Sequence, residues 1–119
     1  MPVRSLNSSV LKWPDRDQVD ASVRKWAKAV TARRNDVRRI GYYGSYARGD
    51  WGVGSDLDLV VVLASSGEPP LDRNLQFDLT ELPIPAEVVV FTEAEWNALD
   101  PSKRFHRTLQ EETEWVFDR

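Results

Sequence analysis

Two aspartates, Asp56 and Asp58, stand one residue apart and follow a Gly-Ser pair, Gly44 and Ser45, after an interval of ten residues. Carboxylates are hard oxygen donors, the kind of ligand that divalent cations such as Mg²⁺ take. The two aspartates open an aliphatic run, LDLVVVL. If that run is a strand, its period of two puts both carboxylates on one face, a geometry that suits a cation. Asp58 breaks the run, where an unpartnered carboxylate is costly, so a ligand role competes with turn capping as the reason for its presence. At Gly44 the missing side chain lets backbone approach a ligand closely, and Ser45 adds a hydroxyl donor. The pair reads as a phosphate-compatible turn.

The elements that must position these groups emerge from periodicity. Pro14 and Asp15 form a helix start, and Val19, Val23, Trp26 and Val30 recur at helical spacing, which predicts a helix from about Asp15 to Arg33. Arg24, Lys25 and Lys28 lie off that stripe. With Arg33, Arg34, Arg38 and Arg39 they make the region before the turn basic, either as a solvated face or to steer an anionic substrate. Asn35-Asp36 is a turn, Val37 to Tyr43 a strand, and Leu57 to Leu63 a strand covered on both faces. Ser65 to Pro70 is a loop, and Leu71 to Leu82 is open between a short helix and irregular structure. Ala86 to Phe91 is a third strand carrying Glu87. Thr92 caps a helix through Leu99, with Glu95 completing a capping box, and Pro101 opens another through about Glu112. The terminal EWVFDR is a short edge strand, and residues 1–12 are a loose arm or an edge strand. This order predicts an α/β (α+β) fold, a small mixed sheet with helices packed on it.

Composition bounds what the site can belong to. A chain of 119 residues is expected to form one domain, 1–119, with one modest core. Its longest apolar run is too short to span a bilayer, and the N-terminus lacks the apolar core of a signal peptide. With no cysteine, disulfide and thiolate chemistry are excluded, and a cytoplasmic location is expected. A net charge of −3 argues against nucleic acid as a direct ligand held by bulk electrostatics.

Gly44, Ser45, ten residues, then Asp56-Leu57-Asp58 resembles the signature of the DNA polymerase β-like nucleotidyltransferase superfamily, and the fuller text GSYARGD…GSDLDLVV is similar to its minimal nucleotidyltransferase branch. The resemblance extends to Glu87 in IPAEVVVFT and the TEAEW helix start, covering roughly Asp15 to the C-terminus. It implies a nucleotidyltransferase fold. It also implies transfer of a nucleoside monophosphate, AMP from ATP, to a hydroxyl, with pyrophosphate leaving. Asp56, Asp58 and Glu87 are implied as catalytic and metal-binding residues for two Mg²⁺ ions, and Gly44, Ser45, Arg48 and Ser55 as contacts to the nucleotide, with a helix start at Gly44-Ser45 aiding the phosphates. For Arg48 a salt bridge within the fold is an equal alternative; for Glu87 the alternative is an exposed strand residue.

Two positions depart from the pattern. Tyr46 stands where many relatives carry a second arginine, which would remove a cation from the phosphate end, and Glu87 stands where aspartate is usual. The tryptophans read as core or interface fillers, with Trp51 also placed to flank a base, and His106 reads as a surface residue. Minimal nucleotidyltransferases of this size are often paired with a helical HEPN toxin. Two functions therefore stand: an antitoxin-type enzyme that modifies a HEPN-like partner, or a non-catalytic binding module that neutralises the partner by complex formation.

Overall fold

The computed structural model describes residues 13–119, so the arm or edge strand expected over 1–12 lies outside the described residues. Helix α1 (Arg16–Arg33) starts where the sequence predicts. The Asp15 carboxylate accepts from the Gln18 amide at 2.8 Å, and the Gln18 side chain accepts from the Asp15 amide at 2.9 Å, a capping box that closes the first turn. Its apolar stripe, Val19, Val23, Trp26, Ala27 and Val30, is buried, while Arg24, Lys25 and Lys28 face solvent.

Strands β1 (Val37–Tyr43) and β2 (Leu57–Leu63) have the predicted bounds, and β3 (Ala86–Thr92) and β4 (Glu114–Asp118) complete a four-stranded sheet. The strand order is β3-β2-β1-β4, with β2 parallel to β3 and β1 antiparallel to both β2 and β4, so the sheet is mixed. In β2 only Asp58 escapes full burial, the pattern of an interior strand covered on both faces. The main core lies between α1 and one face of the sheet, filled by Leu57, Leu59, Val61 and Leu63 of β2 and Val88 and Val90 of β3. A smaller core on the other face joins Val60 to Leu99 and Leu109.

Between β1 and β2 lies a one-turn helix, α2 (Ser45–Arg48). The ambiguous stretch after β2 resolves into a short helix α3 (Pro70–Arg73), a 3₁₀ turn over Asn74–Gln76, and an irregular segment. Trp26 Nε1 donates to the Asp78 carbonyl at 2.8 Å and ties that segment to α1. Helix α4 (Glu93–Asn97) begins with the expected capping box, Thr92 with Glu95. Helix α5 (Arg104–Glu112) starts three residues after Pro101 because Asp100 takes the intervening chain. Its carboxylate accepts from Ser102 N–H at 2.9 Å and its carbonyl from Lys103 N–H at 2.9 Å, so a turn wins there. His106 Nδ1 accepts from the Asp100 amide at 2.9 Å, a structural contact. Glycine is required at Gly41, where a Cβ would come within 2.7 Å of the Glu114 carbonyl as β4 crosses β1. Among the described residues no helix is long and apolar enough to cross a membrane.

Candidate active site

Because β2 sends its odd-numbered side chains into the α1 core, Asp58 shares the opposite face with Val60. Register then sets a row of three. Tyr43 is the Cα partner of Asp58 across β1–β2, and Asp58 is the partner of Glu87 across β2–β3. Adjacent strands lie about 4.8 Å apart, so these residues are immediate neighbours. Asp56 falls in the loop one residue before β2 and is exposed, as is Glu87, while Asp58 is partly buried. Asp58 and Glu87 thus stand side by side at one end of the sheet with Asp56 in the loop before it, but among the described residues no three acidic, histidine or cysteine side chains are gathered closely enough to form a ready metal cage.

Gly44 carries the chain from β1 into α2 with φ of +82°, and a Cβ there would overlap Asp58 Oδ2. Both facts restrict the position to glycine and put backbone directly against the carboxylate. After it, α2 lasts one turn, closed by Arg48 N–H to the Gly44 carbonyl at 3.0 Å and Gly49 N–H to the Ser45 carbonyl at 2.9 Å. The amides at the start of such a turn lack helical acceptors, and the Ser45 hydroxyl has no hydrogen-bond partner among the described residues.

The electrostatics of the row favour a positive ligand. Burial first, then the charges of Glu87 and Asp56, push the Asp58 carboxyl above its ordinary value, with Arg48 opposing them. Burial, then Asp58 and Glu87, push the Tyr43 phenol up to about 12. Arg48 is held between Asp50, at 3.1 Å from its Nε, and Glu112, at 3.2 Å from its Nη1. This is the salt-bridge alternative in place, although the guanidinium remains largely exposed. The Ser55 hydroxyl accepts from Gly52 N–H at 2.8 Å and so braces the connecting loop.

Tyr46 points away from the row. It is fully buried in the α1 core, donates to the Pro14 carbonyl at 3.0 Å and stacks on Trp51 with centroids 5.4 Å apart and planes 6° from parallel. The side chain that stands at the arginine position is thus part of the core and brings no charge to the phosphate end. The same stacking gives Trp51 a packing role.

Sequence reasoning passed over Tyr43, Phe105 and Glu112. The first was signalled only by its place beside Gly44. Phe105 meets the Tyr43 ring at 5.9 Å, and Glu112 reaches Arg48, so α5 touches the Tyr43 end of the row and the end of α2. A concavity of about 490 Å³ runs along Leu79, Leu82, Ile84 and Ala86. The acidic row sits on an open surface.

A sequence search of curated proteins returns no match. Among solved structures, a crystal structure from Sulfolobus solfataricus described as a nucleotidyltransferase superposes with a TM-score of 0.65 at 17% identity, covering 87% of this chain and 84% of that one. A structure described as a minimal nucleotidyltransferase is 26% identical with a TM-score of 0.55, over 85% of this chain and 95% of its own. A chain of a toxin–antitoxin crystallised with AMP-PNP superposes at 0.57 with 12% identity, over 81% and 73%. The model of the nucleotidyltransferase domain matches residues 23–116, which takes in the Gly44-Ser45 turn, both aspartates, strands β1 to β3 and the start of β4, and so this chain belongs to the nucleotidyltransferase domain family.

Proposed function

We propose that this single-domain chain is a metal-dependent nucleotidyltransferase that moves AMP from ATP to a hydroxyl of a partner protein, acting in the cytoplasm as the antitoxin of a helical HEPN-type toxin. The observation that carries this reading is the juxtaposition of Gly44, whose backbone lies against Asp58, with the carboxylates of Asp56, Asp58 and Glu87. The donor set fits a hard divalent cation. It is all carboxylate oxygen, and Asp58 is destabilised as an anion first by burial and then by its acidic neighbours, which an ion would offset. Asp56, Asp58 and Glu87 would hold two Mg²⁺ ions. Such ions neutralise charge on the phosphates and make the attacking hydroxyl more acidic.

The chain's own groups do the rest. Amides after Gly44 and the Ser45 hydroxyl orient the β- and γ-phosphates, and Arg48 turns from Glu112 toward them, while Ser55 holds the connecting loop in shape. The acceptor oxygen bonds to the α-phosphorus as the bond to pyrophosphate breaks, and the hydroxyl proton leaves toward the carboxylate row. An open row without a walled pocket is consistent with a partner protein completing the site. The complexes named toxin–antitoxin among the fold neighbours support that kind of partner.

Titrating ATP calorimetrically with Mg²⁺ and with EDTA tests the metal requirement; equal affinity in both overturns it. Incubation with ATP, Mg²⁺ and the product of the neighbouring gene is expected to raise the intact mass of that product by whole AMP units, and an Asp56→Asn, Asp58→Asn version is expected not to. A second reading, neutralisation by binding alone, is favoured by the absence of a gathered three-ligand cage among the described residues. It prevails if both versions neutralise the partner equally with no mass change.

A further inference from the structure

Phe105 is the one aromatic side chain among the large apolar residues that the described surface leaves exposed, at 47%; the others are Val53, Leu71 and Leu75. Its exposure is not that of a residue on the outer side of its helix. Phe105, Leu109 and Glu112 follow one another at helical spacing on one side of α5. Leu109 is fully buried against Val60 and Glu112 reaches Arg48, so this side faces the sheet and the site. Phe105 meets Tyr43, the last residue of β1, and stays half open there.

Its contact with Tyr43 is edge-on, with planes 70° apart. An edge-on pair occupies at most one face of either ring, so at least one face of Phe105 is not covered by Tyr43. The other aromatics around the second core are engaged: Trp96 meets Phe91 and Trp115 edge-on, and the Arg39 guanidinium lies 3.7 Å over the ring of Trp115. A half-open ring that meets Tyr43, the residue before the Gly44 turn, matches a nucleoside triphosphate: base on the ring, anionic chain toward Gly44.

We propose that Phe105, backed by Tyr43, is the platform on which the nucleobase of the incoming triphosphate stacks. This rests on the nucleotidyl-transfer reading and names the residue that seats the base. Every base has a π-face, so the platform holds purines without selecting strongly between adenine and guanine.

The test compares ATP with inorganic tripolyphosphate, which keeps the anionic chain and lacks the base, by calorimetry in Mg²⁺. Phe105→Ala and Phe105→Leu are expected to weaken ATP roughly tenfold or more while tripolyphosphate binds as before, and Phe105→Trp is expected to keep or raise ATP affinity. Unchanged tripolyphosphate binding also shows that each variant has folded. If wild type binds both ligands and the position 105 variants bind ATP equally well, or lose both ligands in parallel, the platform is refuted and the transferase reading stands. If wild type binds neither ligand in Mg²⁺, the transferase reading falls and takes the platform with it.

Discussion

Strand β2 builds two unlike surfaces from seven residues. Toward α1, Leu57, Leu59, Val61 and Leu63 are sealed beneath a helix of 18 residues that spans the sheet. On the other face the cover is α4 and α5, of five and nine residues, and it closes over Val60 but not over Asp58. The site lies where the second layer runs out. A carboxylate at position 57 or 59 would be buried without a partner, whereas at 58 it reaches solvent and its acidic neighbours. The deep face supplies stability and the shallow one a place for charge.

The two faces should therefore answer mutation differently. Leu59→Ala leaves a cavity under α1 and is expected to cost about 2–5 kcal/mol in urea denaturation, with transfer per folded molecule retained. Asp58→Asn is expected to lower transfer to the partner roughly a hundredfold or more, since metal-ion stabilisation is worth several kcal/mol. The same change should leave the denaturation midpoint unchanged or higher, because it removes a partly buried charge that stands beside Glu87 and Asp56. A midpoint that falls sharply in Asp58→Asn would make the aspartate structural and erase the contrast.

The deep face was the more legible of the two. The β2 bounds could be read to the residue because an aliphatic run between polar turns has one good solution, those of β1 from Ile40, Tyr42 and Tyr43 after the Asn35-Asp36 turn, and the Thr92–Glu95 box marked α4 through purely local bonds. Where long-range partners decide, the sequence was silent. Arg73, 4% exposed, is held by the Glu95 carboxylate and the Glu68 carbonyl, and nothing nearby in the chain announces a buried arginine. At the site, the spacing of Gly44, Ser45, Asp56 and Asp58 was plain, but the row Tyr43–Asp58–Glu87 needs the strand order, which hydrophobic pattern does not encode. Tyr46 shows the same limit, since alignment to an arginine position said nothing of its turn into the core.

Acid titration sharpens the comparison, because two aspartates of opposite shift can be set side by side in metal-free protein. Asp58 is raised when folded, so the folded state binds more protons than the unfolded one between the ordinary value of 3.8 and the raised one. Its contribution is fully present below 3.8 and is lost as pH rises through the raised value. Asp36 is lowered, first by its hydrogen bond with Arg34, so it stabilises above 3.8 and that contribution is lost as pH falls through its folded value. Urea midpoints followed across this range are expected to show wild type losing ground to Asp58→Asn as pH rises and gaining on Asp36→Asn. A gap between wild type and Asp58→Asn that stays constant with pH would show that neither burial nor the acidic neighbours raise Asp58.

The smallest effect concerns the exposed bridge between the loop and α5. Arg48 is shared by Asp50 and Glu112 and lies largely in solvent, where ion pairs add little to stability. Glu112→Gln should therefore leave the denaturation midpoint almost unmoved. Binding should respond instead, because a phosphate that recruits Arg48 must take it from Glu112, and freeing the guanidinium in advance removes that competition. A few-fold gain in tripolyphosphate affinity is expected for Glu112→Gln and a few-fold loss for Arg48→Gln. In the double variant the gain should vanish, since Glu112 acts only through Arg48. If Glu112→Gln tightens binding equally with and without Arg48, Glu112 acts by direct repulsion of the anion, and Arg48 is confined to bracing α5 against the loop.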